Sequence, residues 1–98
     1  PVKMIIAYEP VWAIGTALTA SFVQVEDVIE SVIRVELRNC YGDAVSRCTP
    51  VLYGGSVNSN NVTEFLGHPN IQGTLVGGAS LDPYEFVKIV DQTLSQLQ

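Results

Sequence analysis

The sequence predicts an α/β fold with a parallel sheet, and three observations carry that prediction. Three short apolar, partly β-branched runs, over about 3–8, 50–54 and 73–77, read as strands. Each stops at residues unsuited to a strand: Glu9-Pro10, Gly54-Gly55 and Gly77-Gly78. Each is followed by a helical pattern, over about 21–41, 59–66 and 82–97. Short strands alternating with helices form βαβ units, which lay their strands parallel. No linker or shift of composition divides the 98 residues, so they read as one domain or part of one.

The elements follow in order. Met4-Ile5-Ile6-Ala7 is a buried-type strand bounded by Pro1 and Pro10. Residues 9–20 form a loop with Gly15 and two threonines, a length often associated with active-site lids. Ser21 and Gln24 make the Ser-x-x-Gln pattern of a capping box. Val25, Val28, Ile29, Val32 and Ile33 then share one helical face, with Glu30 and Arg34 four apart on the polar face. Gly42 is a natural stop. After the second strand, a short helix over Ser59–Leu66 has Asn61 and Glu64 available to cap a late start, and Gly67 and Pro69 end it. The last helix is announced by Asp82 at the N-cap, Pro83 at the first position and Glu85 at the third. Its expected core face is Phe86, Val90, Thr93, Leu94 and Leu97.

Composition excludes several classes of function. The chain is apolar-rich (47%), which sets it apart from disordered sequences. It carries a net charge of −5 and its five cations, Lys3, Arg34, Arg38, Arg47 and Lys88, form no cluster. That argues against nucleic acid and against anionic membranes as partners. An anionic ligand would be held by backbone N–H groups. Cys40, Cys48 and the single histidine, His68, lack metal-ligand spacing, so no metal and no cofactor are expected. His68, just ahead of Pro69, reads as a surface residue. The cysteines read as reduced cytoplasmic thiols, and no apolar run approaches the ~20 residues of a membrane span. Asn61-Val62-Thr63 matches a glycosylation sequon, read here as chance.

The chemistry-bearing positions gather at the strand ends, where ligands of open α/β sheets bind. Glu9 is either a candidate general base or a strand-capping acid at the sheet rim. The two double glycines are either ordinary βα turns or a concavity of N–H groups open to an anion. Their repetition beside an acid favours a phosphate pocket. Val11-Trp12-Ala13-Ile14-Gly15 is an apolar patch within a loop, suited to closing over a site or to packing as a satellite cluster. Tyr8 and Tyr53 are core residues or hydrogen-bonding supports.

Three motifs resemble a known family. Ala7-Tyr8-Glu9-Pro10-Val11-Trp12-Ala13-Ile14-Gly15-Thr16 is similar to the active-site signature of the triosephosphate isomerases. Leu52-Tyr53-Gly54-Gly55-Ser56-Val57 and Leu75-Val76-Gly77-Gly78-Ala79-Ser80 resemble that family too, in order and at fitting spacing over nearly the whole chain. The resemblance implies the last three βα units of a (β/α)₈ barrel, the fold for which this family is the type case, incomplete as given. It implies that Glu9 moves a proton between two carbons of a triose phosphate, interconverting dihydroxyacetone phosphate and glyceraldehyde 3-phosphate through an enediolate. This is the family's known chemistry. It implies N–H groups of Gly15, Ser56, Gly77 and Gly78 as the phosphate cradle. Pro10, Val11 and Trp12 would form the first lid hinge, Ile14 would press on the carboxylate and Leu75 would form the floor beneath it. Tyr53 and Ser56 would latch the closed lid. A small-molecule triose phosphate is the implied partner, and the full-length family forms a homodimer whose interface lies mostly outside this chain.

The resemblance also implies what is missing. The family continues its lid as Gly-Thr-Gly-Lys-Thr-Ala, whereas this chain has Gly15-Thr16-Ala17-Leu18-Thr19-Ala20. Ala17 restricts a position where the family has glycine, and Leu18 replaces the customary lysine. The first five βα units would carry the family's substrate-binding asparagine and lysine and its electrophilic histidine. The expectations are therefore an isomerase segment of glycolysis and gluconeogenesis, or an inactive barrel fragment that binds phosphate or associates with itself.

Overall fold

The computed structural model describes residues 3–11 and 21–96. Three parallel strands, β1 (Ile6–Tyr8), β2 (Val51–Gly55) and β3 (Gly73–Val76), form one sheet in that order. The register pairs Tyr8 with Tyr53, Gly54 with Leu75 and Gly55 with Val76. β1 is shorter than the run at 3–8 because its first ladder bond runs from the Ile6 N–H to the Pro50 carbonyl, at 3.0 Å, where β2 begins.

Alternation along the strands separates two faces. Val51 and Tyr53, flanked by Ile6, Tyr8 and Val76, pack into a core with Val25, Ile29, Val62, Phe65, Ile71 and Ile89 from the helices. Tyr53 and Phe65 stack at its centre, with ring centroids 4.0 Å apart and planes 9° from parallel. On the opposite face, Ile5, Ala7, Glu9 and Leu75 are exposed. The helices therefore cover one side of the sheet, and Glu9 stands on the other.

The first helical region is a single rod with a change of pitch. It comprises α1 (Phe22–Val28), a π-helical turn (Ile29–Ile33) and α2 (Arg34–Tyr41). The capping box is present: the Gln24 N–H donates to Ser21 Oγ at 3.3 Å and the Ser21 N–H donates to Gln24 Oε1 at 3.1 Å. The π-turn is closed by the Arg34 N–H donating to the Ile29 carbonyl. One extra residue in that turn rotates everything after it. Buried positions run Val25, Ile29, Arg34, Leu37, and the step of five falls on the π-turn. This corrects the face read from a uniform 3.6-residue period: Val32 is 53% exposed, while Arg34, expected on the polar face, is 6% exposed. Val32→Lys should therefore change stability by no more than about 0.5 kcal/mol, whereas Ile29→Ala should cost about 2–5 kcal/mol. Chemical denaturation of the two variants checks this.

Arg34 ties the base of the sheet together. Its Nη1 donates to the carbonyls of Ser46 and Thr49, both at 2.6 Å, and its Nη2 to Gln72 Oε1 at 3.1 Å and the Asn70 carbonyl at 3.4 Å. Ser46 Oγ donates back to the Arg34 carbonyl at 2.7 Å. Gln72 Oε1 also accepts from the Val51 N–H at 2.8 Å, so the guanidinium is joined to the first residue of β2. Burial lowers the Arg34 pKa from its ordinary value, and Glu30 opposes the shift.

Gly42, at φ 95°, ends α2, and α3 (Asp43–Cys48) follows at once. The sequence reading has no helix there. Six residues give no period to read, but Asp43 in the first turn pairs with Arg47 at 3.0 Å and with Arg38 at 3.4 Å. α4 spans Val62–Leu66 and is shorter than expected. Residues 58–61 are instead held as turns by asparagine side chains. Asn58 Oδ1 accepts from the N–H groups of Asn60 (2.8 Å) and Asn61 (3.1 Å), and Asn61 Oδ1 accepts from the Asn58 N–H at 2.9 Å.

A one-turn 3₁₀ helix (Gly78–Leu81) leads into α5 (Pro83–Gln96). Asp82 caps α5, its Oδ1 accepting from the Tyr84 N–H at 3.0 Å. The core-facing residue of α5 is Ile89, 2% exposed, while Phe86, Val90 and Leu94 are exposed. The buried stripe is narrower than the apolar pattern of the helix and centres on Ile89 rather than on Phe86, Val90 and Leu94. Phe86, Val90 and Leu94 line a groove beside β3, the edge strand, where the sheet offers nothing further to pack on. Leu97 lies outside the described residues. His68 is also more than a surface residue. It pairs with Glu26 at 3.0 Å and stacks on Phe22 at 4.3 Å, joining α1 to the loop after α4. Among the described residues no helix is long and apolar enough to cross a membrane.

Candidate active site

The carboxyl ends of the three strands bring the expected residues into rows. Glu9 follows β1 directly, and since Tyr8 pairs with Tyr53, it arrives beside Gly54. Gly54 in turn pairs with Leu75. Glu9, Gly54 and Leu75 thus lie side by side across the sheet. The contact between the first two is close: a Cβ placed on Gly54 would stand 2.6 Å from Glu9 Cγ and 3.2 Å from its Cδ. The stem of the glutamate lies in the space a side chain on Gly54 would occupy. Leu75 is exposed, so its apolar surface borders the same open face.

One residue further along, Gly55 pairs with Val76, and the chain continues into Ser56 on one strand and Gly77 on the next. Ser56 is fixed through its carbonyl, which accepts from Asn61 Nδ2 at 2.6 Å. The Gly77 carbonyl accepts from both the N–H (2.9 Å) and the Oγ (2.6 Å) of Ser80, which closes the 3₁₀ turn. A Cβ on Gly77 or Gly78 would meet nothing within 4 Å. The contrast with Gly54 is informative. The bare backbone at Gly54 makes room for Glu9, whereas at Gly77 and Gly78 it faces open space that a ligand could enter.

Pro10 is buried and Val11 is exposed. Trp12, Ile14 and Gly15, with Ala17 and Leu18, lie outside the described residues. Tyr53 has its ring in the core, stacked on Phe65. Among the described residues no group of three or more His, Cys, Asp or Glu could hold a metal. Cys40 and Cys48 are exposed free thiols. The site therefore offers one carboxylate on an open face beside Leu75 and, one step further along the strands, open space at the Gly77 and Gly78 backbone. Sequence reasoning marked the Gly54-Gly55 pair without placing Gly54 beside Glu9, took Asn61 only as a helix cap, and missed Asn58. A double glycine shows that backbone must be bare, but only the register shows which glycine accommodates the acid.

The family model of triosephosphate isomerase matches residues 2–93. The chain belongs to the triosephosphate isomerase family. It is 48% identical over 92 residues to the triosephosphate isomerase of Borreliella burgdorferi (strain ZS7), an alignment covering 94% of this chain and 36% of that protein. It is 50% identical over 92 residues to that of Dehalococcoides mccartyi (strain ATCC BAA-2266 / KCTC 15142 / 195), with the same coverage. The Mycoplasmoides gallisepticum relative is 49% identical over 88 residues, 90% of this chain and 34% of that protein. The chain thus spans about a third of the length of the curated relatives it matches. Triosephosphate isomerases are aldose–ketose isomerases, and this segment is α/β with three parallel strands in an open sheet.

Proposed function

We propose that this chain supplies the catalytic base and most of the phosphate cradle for interconversion of dihydroxyacetone phosphate and glyceraldehyde 3-phosphate. The observation that carries the reading is the seat of Glu9 against Gly54, in one row with Leu75 and one step from Ser56 and Gly77. Glu9 takes a proton from the hydroxyl-bearing carbon next to the substrate carbonyl, leaving an enediolate, and returns it to the former carbonyl carbon, while the hydroxyl proton passes from the first carbon's oxygen to the former carbonyl oxygen. No atom is gained or lost. The N–H groups of Ser56, Gly77 and Gly78, joined by Gly15 from the lid segment, hold the phosphate without a side-chain cation. Pro10 anchors the lid at its buried end. The roles that the family resemblance gives Val11 and Trp12, as lid hinge, and Ile14, as the residue against the carboxylate, are part of this proposal, since excluding water strengthens a base that is otherwise exposed. The family's electrophilic histidine and its lysine match no position in this chain, so turnover needs the rest of a barrel. Electrostatic stabilisation of the enediolate is usually the largest catalytic contribution. A cytoplasmic place in glycolysis and gluconeogenesis follows from the same reading.

Titration of the ¹⁵N-labelled chain with dihydroxyacetone phosphate tests the site. The amides of Ser56, Gly77 and Gly78 should move together and saturate, while core amides such as Val25 and Phe65 stay in place. Shifts confined to other segments would sink the reading.

A second reading is favoured by the apolar grooves at both sheet edges. One lies beside β3, and the other is lined by Met4, Tyr41, Val45 and Cys48 next to β1. On that reading the isolated chain binds phosphate without turnover and associates through these surfaces. Sedimentation of the isolated chain, with an isomerase assay of a complete barrel that carries it, separates the two: a monomeric chain and an active barrel support the first, and an oligomeric chain and an inactive barrel support the second.

A further inference from the structure

We infer that Glu85 is a positioning residue for the phosphate cradle, acting as a strut between the segment that carries Ser56 and the segment that carries Gly77 and Gly78. The inference rests on the site reading above and adds a residue to it. Glu85 lies in the first turn of α5, a position where an acid ordinarily serves the helix's own N–H groups. Its carboxylate instead crosses to the loop after β2. Oε2 accepts from the Ser59 N–H at 2.8 Å and Oε1 accepts from Ser59 Oγ at 2.9 Å, a two-point contact between residues 26 apart. Hydrogen bonds to an ionised carboxylate are the stronger kind, and two of them fix orientation as well as distance.

Each end of the strut is linked by hydrogen bonds to a cradle segment. From Ser59 the connection runs through the neighbouring turn, where Asn58 and Asn61 bond to each other's backbone and Asn61 Nδ2 holds the Ser56 carbonyl. From Glu85 it runs through the Asp82 cap to the 3₁₀ turn that starts at Gly78, where the Asp82 N–H donates to the Ala79 carbonyl at 3.4 Å. β2 and β3 set the two segments side by side up to Gly55 and Val76, and beyond that pair the ladder ends. The Glu85–Ser59 contact takes over where the sheet stops.

The sign of one effect tells a strut from a charge. A carboxylate near an anion site weakens anion binding by repulsion, so neutralising it would tighten binding. A strut holds the donors in place, so the same change loosens binding. The experiment is titration of the full chain with inorganic phosphate, followed at the amides of Ser56, Gly77 and Gly78. The comparison covers Glu85→Gln, Ser59→Ala, their double variant, and Ile89→Val as a control that loosens α5 without touching the contact. Each single variant should weaken phosphate binding by about threefold to tenfold, the size of one or two hydrogen bonds. The double variant should be no weaker than Glu85→Gln alone, and Ile89→Val should bind as the parent does. Ser59→Ala keeps the inference testable if Glu85→Gln does not fold. Equal or tighter phosphate binding by folded variants overturns it, as does equal weakening by Ile89→Val. A parent chain whose cradle amides ignore phosphate overturns the site reading and this one with it, whereas a binding parent with indifferent variants overturns this one alone.

Discussion

Arg34→Met is expected to cost about 3–5 kcal/mol of folding stability, the largest effect foreseen for a residue far from the site. Methionine keeps much of the apolar stem but supplies no donor. The carbonyls of Ser46 and Thr49, both held at 2.6 Å by Nη1, lose that partner, and Gln72 Oε1 keeps only the Val51 N–H. A buried acceptor left without a partner costs about 1–3 kcal/mol, and two of them reach the stated range. A domain of this size has about 5–15 kcal/mol in all, so the unfolding midpoint should fall by about 10 °C or more. Arg34→Lys should recover part of the loss, because one ammonium can reach only some of the acceptors that the planar guanidinium serves together. Thermal unfolding followed by circular dichroism checks both variants. Equal stability of Arg34→Met and the parent would contradict the account.

The second large effect is expected at Gly54. A methyl group there stands 2.6 Å from Glu9 Cγ, a distance that carbon atoms do not tolerate. The clash is with Cγ, so it is relieved only by turning the exposed Glu9 side chain about its Cα–Cβ bond, which carries the carboxylate out of the row. Catalysis suffers, since displacing a catalytic group by about 1 Å can cost ~10²-fold in rate. Gly54→Ala in an active barrel carrying this segment should therefore lower kcat by about a hundredfold with a much smaller change in KM. Gly73 provides the control. A Cβ there meets Leu52 Cδ2 at 2.9 Å, the mobile tip of a side chain, and Gly73→Ala should be tolerated with near-normal kcat. Steady-state kinetics of the two variants decides the point, and a normal kcat for Gly54→Ala would remove Gly54 from the mechanism.

Where local chemistry settles the structure, the sequence was a good guide. Ser21 with Gln24, Gly42, and Asp82 with Pro83 mark helix ends because capping depends on a few adjacent residues. The three strand ends were legible for the same reason: proline, paired glycines and an acid interrupt apolar runs. What depended on phase or on register was not legible. One extra residue in the π-turn turned Arg34 inward and Val32 outward, and a uniform period has no means of announcing it. On α5 the apolar stripe is broader than the surface available to cover it, so Ile89 alone of that helix is deeply buried. The candidate site divides the same way. Glu9, Ser56, Gly77 and Gly78 stood out by type and place, but the pairing of Glu9 with Gly54 and the contact of Ser59 with Glu85 are three-dimensional facts.

The most direct measurement places this segment in a complete barrel. The chain replaces the matching third of the Dehalococcoides mccartyi relative, with which it shares 50% identity over 92 residues, and isomerase turnover is measured with and without Glu9→Gln. The account predicts a chimera that converts glyceraldehyde 3-phosphate and loses about 10²–10⁴-fold in kcat when Glu9 becomes glutamine, as removal of a general base requires. A folded chimera that turns over equally well with glutamine at that position would contradict it.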